Sequence, residues 1–489
     1  MIASPDLPPP SQGKYPAKEH CRRVAKMLAE RGGNTTNGVI YLQGQVTKMV
    51  EDDDQAMHFR QRRPFFYLTG CDMPDCHFIY DIDNHFSTLF IPPVEADRVI
   101  WEGLPLQSEE AMEKFEIDAV YQTTQLQSSV SALSSNTVFA IADRIPENLT
   151  FSSPKSMSTD LLQPVIEDAR VIKDEFEISL IRHANAISSH AHTEVLKAAT
   201  QASNERELHG LFLMHCVANG CRDQAYGCIC ASGPNAATLH YQHNDLSLSH
   251  KLNLLLDAGG EYSCYCADIT RTFPLSGSFT RESRAIYELV YEMQETCMAM
   301  LTAGVDWESV HASAHRTAIR GLLALGILTG TESEIWNART STLFFPHGLG
   351  HYLGMDTHDT GGRADYSDPD PMFAYLRVRG KVPAGAVITV EPGIYFCRFI
   401  IEPALRDERH KKFIDVAVLE RYWDVGGVRI EDDVLVRESG CENLTNVPRK
   451  WWEIEDLVQH GEIVRRGMEE RKEDTAVNGH VRSANGVAR

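Results

Sequence analysis

The stretch LDAGGEYSCYCADIT, residues 256–270, sets two aspartates, Asp257 and Asp268, at opposite ends of a short apolar and aromatic run. Folded back as a hairpin with a loop of even length, it lets residues an odd number apart face each other, with Cβ atoms about 4.5–5.5 Å apart. Two carboxylates that close repel, and at neutral pH they need a shared proton or a cation. A pair of metal ions about 3.5–4 Å apart would satisfy both. The alternative is a plain hairpin with one Asp at the turn and the other on the solvent face. Spacing alone leaves both readings open.

The same residue types recur farther along in strand or turn settings. PHGLGHYLGMDTHD, residues 346–359, carries His347, His351 and His358. His347 and His351 are spaced i, i+4, as in the helical zinc motif HExxH. Two glycines between them and the missing Glu argue instead for a Gly-rich loop that lets backbone approach a ligand. TVEPGIYF, residues 389–396, ends an apolar strand on Glu391 before a Pro-Gly turn, where burying an acid is costly unless it is paired or metal-bound. In GGVRIEDDVLV, residues 426–436, alternation puts Arg429 and Glu431 on one face opposite Ile430. Asp432 and Asp433 are expected to be exposed. A turn-exposed Glu391 and an internal Arg429–Glu431 pair are the structural alternatives. Together, four carboxylates and a histidine suit hard or borderline divalent ions such as Mn2+. Two such ions sharing carboxylates lower the pKa of a water held between them.

The chain around these segments has 489 residues, beyond the roughly 250–300 at which a single core stops growing, so two domains are expected. Its 43% hydrophobic and 24% charged residues are those of a globular protein. A formal net charge of -21 argues against a nucleic-acid surface, which needs basic patches. No stretch approaches the roughly 20 apolar residues of a membrane span, so no membrane partner is expected. The proline-broken start MIASPDLPPPSQGKYPAKEH lacks the apolar core of a signal peptide. Twelve cysteines without a CxxC pair fit a reducing compartment, and a cytoplasmic location is expected. The doublets Cys228/Cys230 and Cys264/Cys266 have strand spacing and read as core packing rather than zinc ligands.

Residues 1–20 are expected to form a flexible arm. KEHCRRVAKMLAERGG predicts a helix closed by a Gly pair. GVIYLQGQV, FFYLTG, HFIYDID and STLFIP are short β-type runs, alternating with helical pieces such as EADRVIWEG, so residues 21–160 predict an α/β domain. From 165 to 445 the pattern turns to long amphipathic helices and strands. KDEFEISLIRHANAISSHAHTEVLKAAT is the longest helix, and in NERELHGLFLMHCVANG the residues Asn204 and Glu207 resemble a capping box. Helices on one face of a mainly antiparallel sheet make an α+β domain. Residues 450–489 are expected to form a helix that gives way to a polar, partly disordered tail.

The ordered set DAGG…D, PHGLGH…HD, TVEPGIY and RIEDD resembles the metallopeptidases of pita-bread fold, and most of all their prolidase and aminopeptidase P branch, which cleaves Xaa-Pro bonds. FRQRRPFFYLTGC resembles that branch's N-terminal domain, so the likeness covers nearly the whole chain. It implies an α+β pita-bread catalytic domain behind a smaller α/β domain, with two divalent ions per subunit, Mn2+ by family analogy. Asp257 is implied to bind one ion, Asp268 and Glu431 to bridge both, and His351 and Glu391 to complete the other shell. Glu391 is also implied as the proton shuttle to the prolyl nitrogen. His240, in TLHYQHND, and His358 match the family's substrate-side histidines, the first expected to stabilise the oxyanion of the tetrahedral intermediate. Arg429 and His347 are implied to orient the ligands from behind. Arg377, in AYLRVRGKVPAG, matches the position where prolidases hold the free carboxylate of a dipeptide. The implied substrates are proline-containing di- or oligopeptides, and a homodimer is usual among similar enzymes. An Xaa-Pro dipeptidase is the near alternative to an Xaa-Pro aminopeptidase. A binding module without catalysis and a methionine aminopeptidase are more distant ones, opposed by the complete ligand set and by the large first domain.

Overall fold

Cys21, Val24, Ala25 and Leu28 recur at i, i+3, i+4 and i+7, and they form the buried stripe of a helix, Ala17–Glu30. A computed structural model describes residues 10–133, 135–151 and 156–462. The expected arm thus lies partly outside the described residues, and from Ala17 the chain is helical. The first domain is built on a six-stranded mixed sheet in the order Ala119–Gln122, Phe86–Ile91, His77–Asp81, Gly38–Gln43, Thr137–Phe139, Ser156–Ser158. Gly38–Gln43 runs antiparallel to His77–Asp81 and parallel to Thr137–Phe139. Its side chains alternate between two cores, Ile40 and Leu42 in one, Val39 and Tyr41 in the other.

FFYLTG, expected as a strand, is instead part of a helix, Arg63–Thr69. Every residue of that helix is buried, so its sequence shows no one-sided stripe. The deciding signals sit at its ends: Pro64 in the first turn, and Gly70 just past the last with φ of 65°.

In the second domain the helices Glu175–Ala198, Glu205–Ala218, Arg281–Met300 and Trp307–Ala324 pack around strands whose named pairings are all antiparallel. Asp174 and Glu177 form a full capping box at the head of the first. At the second, the Asn204 side chain caps the Arg206 N–H while the Glu207 side chain reaches Ser203, so the box expected there is not formed and Asn204 caps the helix alone. Asn253–Asp257 lies between Ile229–Ser232 and Thr270–Pro274. Val387–Val390 pairs with Asp432–Val436, and Gly393–Tyr395 with Gly427–Arg429. A bridge from Thr270 to Glu431 joins the two groups. The last described segment forms a helix, Trp451–His460, that buries Ile454, Leu457 and Val458; residues 463–489 lie outside the described residues.

The 256–270 stretch is one continuous hairpin. Asp257 pairs with Thr270, Glu261 with Cys266 and Tyr262 with Tyr265. A two-residue turn closes it at Ser263 and Cys264, whose φ values of 47° and 66° give the twist that such turns favour. Midway, the strands press together: a Cβ on Gly259 would lie 1.8 Å from the Ala267 carbonyl oxygen. The tip reaches the first domain. Tyr265 and Cys266 share a core with Phe65, Tyr67 and Leu68, and Tyr265 donates a hydrogen bond to Glu177 at 2.9 Å. Arg63 meets Glu261 at 2.6 Å with both side chains buried. Cys228, Cys230, Cys264 and Cys266 are all buried in apolar clusters. No helix among the described residues is long and apolar enough to cross a membrane.

Gly259→Ala is therefore expected to force the hairpin strands apart, at an overpacking cost of about 1–3 kcal/mol. Thermal unfolding measures it, and a melting temperature unchanged from the parent chain would refute the close contact.

Candidate metal centre

The hairpin register corrects one expectation. Asp257 faces Thr270, not Asp268, and Asp268 stands two residues diagonally away on the same face. The diagonal leaves about 7–8 Å between such backbone positions, but the two side chains lean close enough to hydrogen-bond, so either a shared proton or a shared ion is within reach. Glu431 arrives beside them through its bridge to Thr270, whose hydroxyl donates to Glu431 Oε2 at 2.6 Å. Glu391 follows the strand Val387–Val390. His351 lies alongside that strand, its N–H on Thr389 Oγ1 at 3.0 Å. The approach needs glycine at 350, where a Cβ would fall 2.0 Å from the Thr389 carbonyl oxygen.

These elements bring ligand atoms of Asp268, His351 and Glu431 within 4.8 Å of one another. His351 Nε2 is 3.4 Å from Asp268 and 3.3 Å from Glu391. Its Nδ1 faces the Tyr352 carbonyl at 3.1 Å, so that nitrogen carries the proton and Nε2 offers its lone pair to the acids. Asp257 is held by Arg429 at 2.5 Å and by the Tyr226 hydroxyl at 2.5 Å.

Burial, and then the Asp257 charge, raises the proton affinity of Asp268 well above the usual carboxylate range. Glu431 is raised by burial and by Asp268, Glu391 and Asp257 together. Burial also raises Glu391, the Asp268 and Asp257 charges adding to it against the pull of His351 and Arg429. Arg429 is the guanidinium in ion-pair contact with this group, at Asp257 and Glu431. Four acids against one guanidinium form a site short of positive charge, and a carboxylate set with one imidazole fits hard or borderline divalent cations.

Around the acids lies a cavity of about 1050 Å3. His240 and His358 stand exposed in its wall, and the His358 ring meets that of His351 edge-on at 4.4 Å. Loss of hydration within the cavity, with His351 and Arg377 nearby, pushes His358 down to about 2, so the ring is neutral. Asp356 and Asp359 flank His358 in sequence, and Arg170 bonds both, at 2.7 and 2.6 Å. Arg377 lines the same cavity and donates to the Tyr366 hydroxyl at 3.1 Å. His347 is 3.9 Å from Glu391 and belongs to a relay behind it. Arg429 donates to the Tyr395 hydroxyl at 2.8 Å, and that hydroxyl reaches His347 Nε2 at 2.9 Å.

Sequence reasoning missed Tyr226, Thr270 and Tyr395. Alternation carried a signal for Thr270, which shares the face of Asp268; Tyr395 ends a separate strand, Gly393–Tyr395, beyond the break at Glu391 and Pro392. Tyr226 carried none. Asp432 and Asp433, expected to be exposed, are fully buried. Arg271 neutralises Asp432 at 2.6 Å, and Asp433 accepts the Asp268 N–H at 2.9 Å. A second cluster of ligand type, His20, Asp174 and Glu177, is consumed by helix capping and by the Tyr265 hydroxyl.

Residues 179–438 match the family described as metallopeptidase family M24, and residues 20–139 match the aminopeptidase P N-terminal domain. A probable Xaa-Pro aminopeptidase of Botryotinia fuckeliana is 55% identical, over 91% of this chain and 97% of its own. One from Aspergillus fumigatus is 54% identical, over 91% and 97%. Among solved structures, the Pseudomonas aeruginosa aminopeptidase PepP superposes with a TM-score of 0.76 at 28% identity, covering 91% of this chain and 98% of its own. Escherichia coli aminopeptidase P with the inhibitor Pro-Leu gives the same TM-score of 0.76 at 28% identity, over 91% and 99%.

Chelation is expected to lower the melting temperature, and divalent ions to restore it by about 2.7 kcal/mol of stability at a hundredfold excess over Kd. In the metal-free state Asp268→Asn should melt above the parent chain, because one of the mutually repelling charges is gone. A lower melting point for that variant would mean the acids do not strain the empty site.

Proposed function

This chain belongs to metallopeptidase family M24 and is a metal-dependent Xaa-Pro aminopeptidase; on that premise we propose a role for each side chain of the site. Asp257 would hold one divalent ion, Asp268 and Glu431 would be shared between two, and His351 with Glu391 would be direct ligands of the other ion. The observation that carries this is the meeting of Asp268, His351 and Glu431 within 4.8 Å, among buried acids that one arginine does not balance. Mn2+ is the ion that this donor set and the family resemblance favour. When bound, the ions supply Lewis acidity, polarising the scissile carbonyl and making a water nucleophilic at neutral pH.

The remaining steps fall to the protein's own groups. Glu391 takes the proton of the attacking water and delivers it to the prolyl nitrogen, which would otherwise leave as an amide anion. Its side chain is 16% exposed, against 6% for Asp268 and 2% for Glu431, so of these acids it has the most open path to the substrate. His240 and His358 donate hydrogen bonds to substrate oxygens from the cavity wall. The relay from Arg429 through Tyr395 to His347 fixes the ligands' orientation. Arg377, supported by Tyr366, receives a substrate carboxylate. At about 1050 Å3, the cavity is just above the range of small-ligand pockets, about 300–1,000 Å3, which favours peptides longer than the dipeptide. A cytoplasmic setting fits twelve free thiols, ten of them buried.

Ala-Pro and Ala-Pro-Ala, assayed across Mn2+, Co2+, Zn2+ and Mg2+, test the reading. Release of alanine from the tripeptide is the expected result; turnover of the dipeptide alone would make this an Xaa-Pro dipeptidase. No turnover of either, by folded and metal-loaded protein, would favour a binding module. Asp268→Ala and Glu431→Ala should each lose both ions and nearly all activity. Two ions retained in either variant would rule out the bridging role. Arg377→Ala should harm the dipeptide more than the tripeptide, and equal losses would remove the carboxylate contact.

A further inference from the structure

His240 stands exposed on the cavity wall, and no hydrogen bond among the described residues holds its ring. Its placement must therefore come from the backbone that carries it. That backbone is fastened by one carboxylate. Glu205, the first residue of the helix Glu205–Ala218, is fully buried. Its Oε1 accepts from the Ser232 N–H at 2.9 Å and the Ser232 hydroxyl at 2.6 Å. Its Oε2 accepts from the Tyr241 hydroxyl at 2.9 Å and the Leu246 N–H at 3.0 Å. Four donors satisfy both oxygens of the carboxylate without a cation beside it.

One carboxylate oxygen thus closes the loop 241–246 at both ends, while the other grips the strand Ile229–Ser232. Asn244 adds two bonds from the loop to the same strand, to the Cys230 N–H and the Cys228 carbonyl, each 2.8 Å. Ile229 of that strand is the register partner of Asp257. The Tyr241 ring belongs to one buried apolar cluster with Ile229, Leu255 and Tyr395.

We propose that Glu205, through the Tyr241 hydroxyl, is a positioning residue that registers His240 to the strand carrying Asp257. This rests on the reading of His240 as a group that touches substrate. Glu205 takes no part in the chemistry; it sets where the imidazole stands, and a displacement of about 1 Å at such a distance from the reacting atoms can cost about 100-fold in rate. A carboxylate that merely ties a helix to a sheet would show the same bonds, so the test must read His240 itself.

A double-mutant cycle on the full, Mn2+-loaded chain with Ala-Pro-Ala does so. Tyr241→Phe removes one hydroxyl and leaves the ring and the other three bonds to Glu205 in place. It should lower kcat/KM by about 10-fold with metal content unchanged, in the same parameter, kcat or KM, that His240→Ala affects. In the His240→Ala background the same change should cost less than about 2-fold. Equal losses in both backgrounds, or no loss from Tyr241→Phe, would overturn the positioning role while leaving His240 as a substrate-side group. Full activity in His240→Ala alone would remove that group's role and this proposal with it. Glu205→Gln should fall further than Tyr241→Phe; if it does not fold, the Tyr241 cycle decides.

Discussion

Four carboxylates converge on one guanidinium, and most of what surrounds them answers that imbalance. Placing like charges together out of water is costly, and the fold accepts the cost only because hydrogen-bond donors and a cation are arranged around them. Tyr226 and Arg429 hold Asp257, Thr270 holds Glu431, and Thr389 stands beside both His351 and Glu391. Each of these holds an acid in place without cancelling all of its charge. The unspent negative potential is what a divalent ion would take up.

The hairpin connects that centre to the rest of the molecule. Its base carries Asp257 and Asp268, and its tip supplies Tyr265, Cys266 and Glu261 to the junction between the domains. A slip of one residue in its register would turn every side chain to the opposite face. The two-residue turn and the contact at Gly259 fix that register at separate points. Metal chemistry and domain docking therefore depend on the same pairing.

Much of the second domain could be read from sequence because its acids sit where an apolar strand ends, a placement that is rarely neutral. Glu391 before Pro392 and Glu431 after Ile430 announce themselves that way. The diagonal between Asp257 and Asp268 could not be read, because parity fixes which face two residues share but not their offset along the strands. Asp432 seemed a surface residue because its partner, Arg271, lies far away in the chain. FFYLTG hid its helix by being buried all round, which erases the periodicity that separates helix from strand. In each case the missing information was a contact between distant segments.

One core of the first domain contains Cys21, Phe65 and Phe78, and also Tyr265, Leu353, Val387 and Leu435. Synthesis runs from the N terminus, so the early residues of that core leave the ribosome hundreds of positions before the last ones exist. Until then one of its walls lacks the side chains that complete it, and the Arg63–Glu261 contact likewise waits on the second domain. The order of translation thus leaves the nascent first domain half-closed, and its completion belongs to the final quarter of the chain.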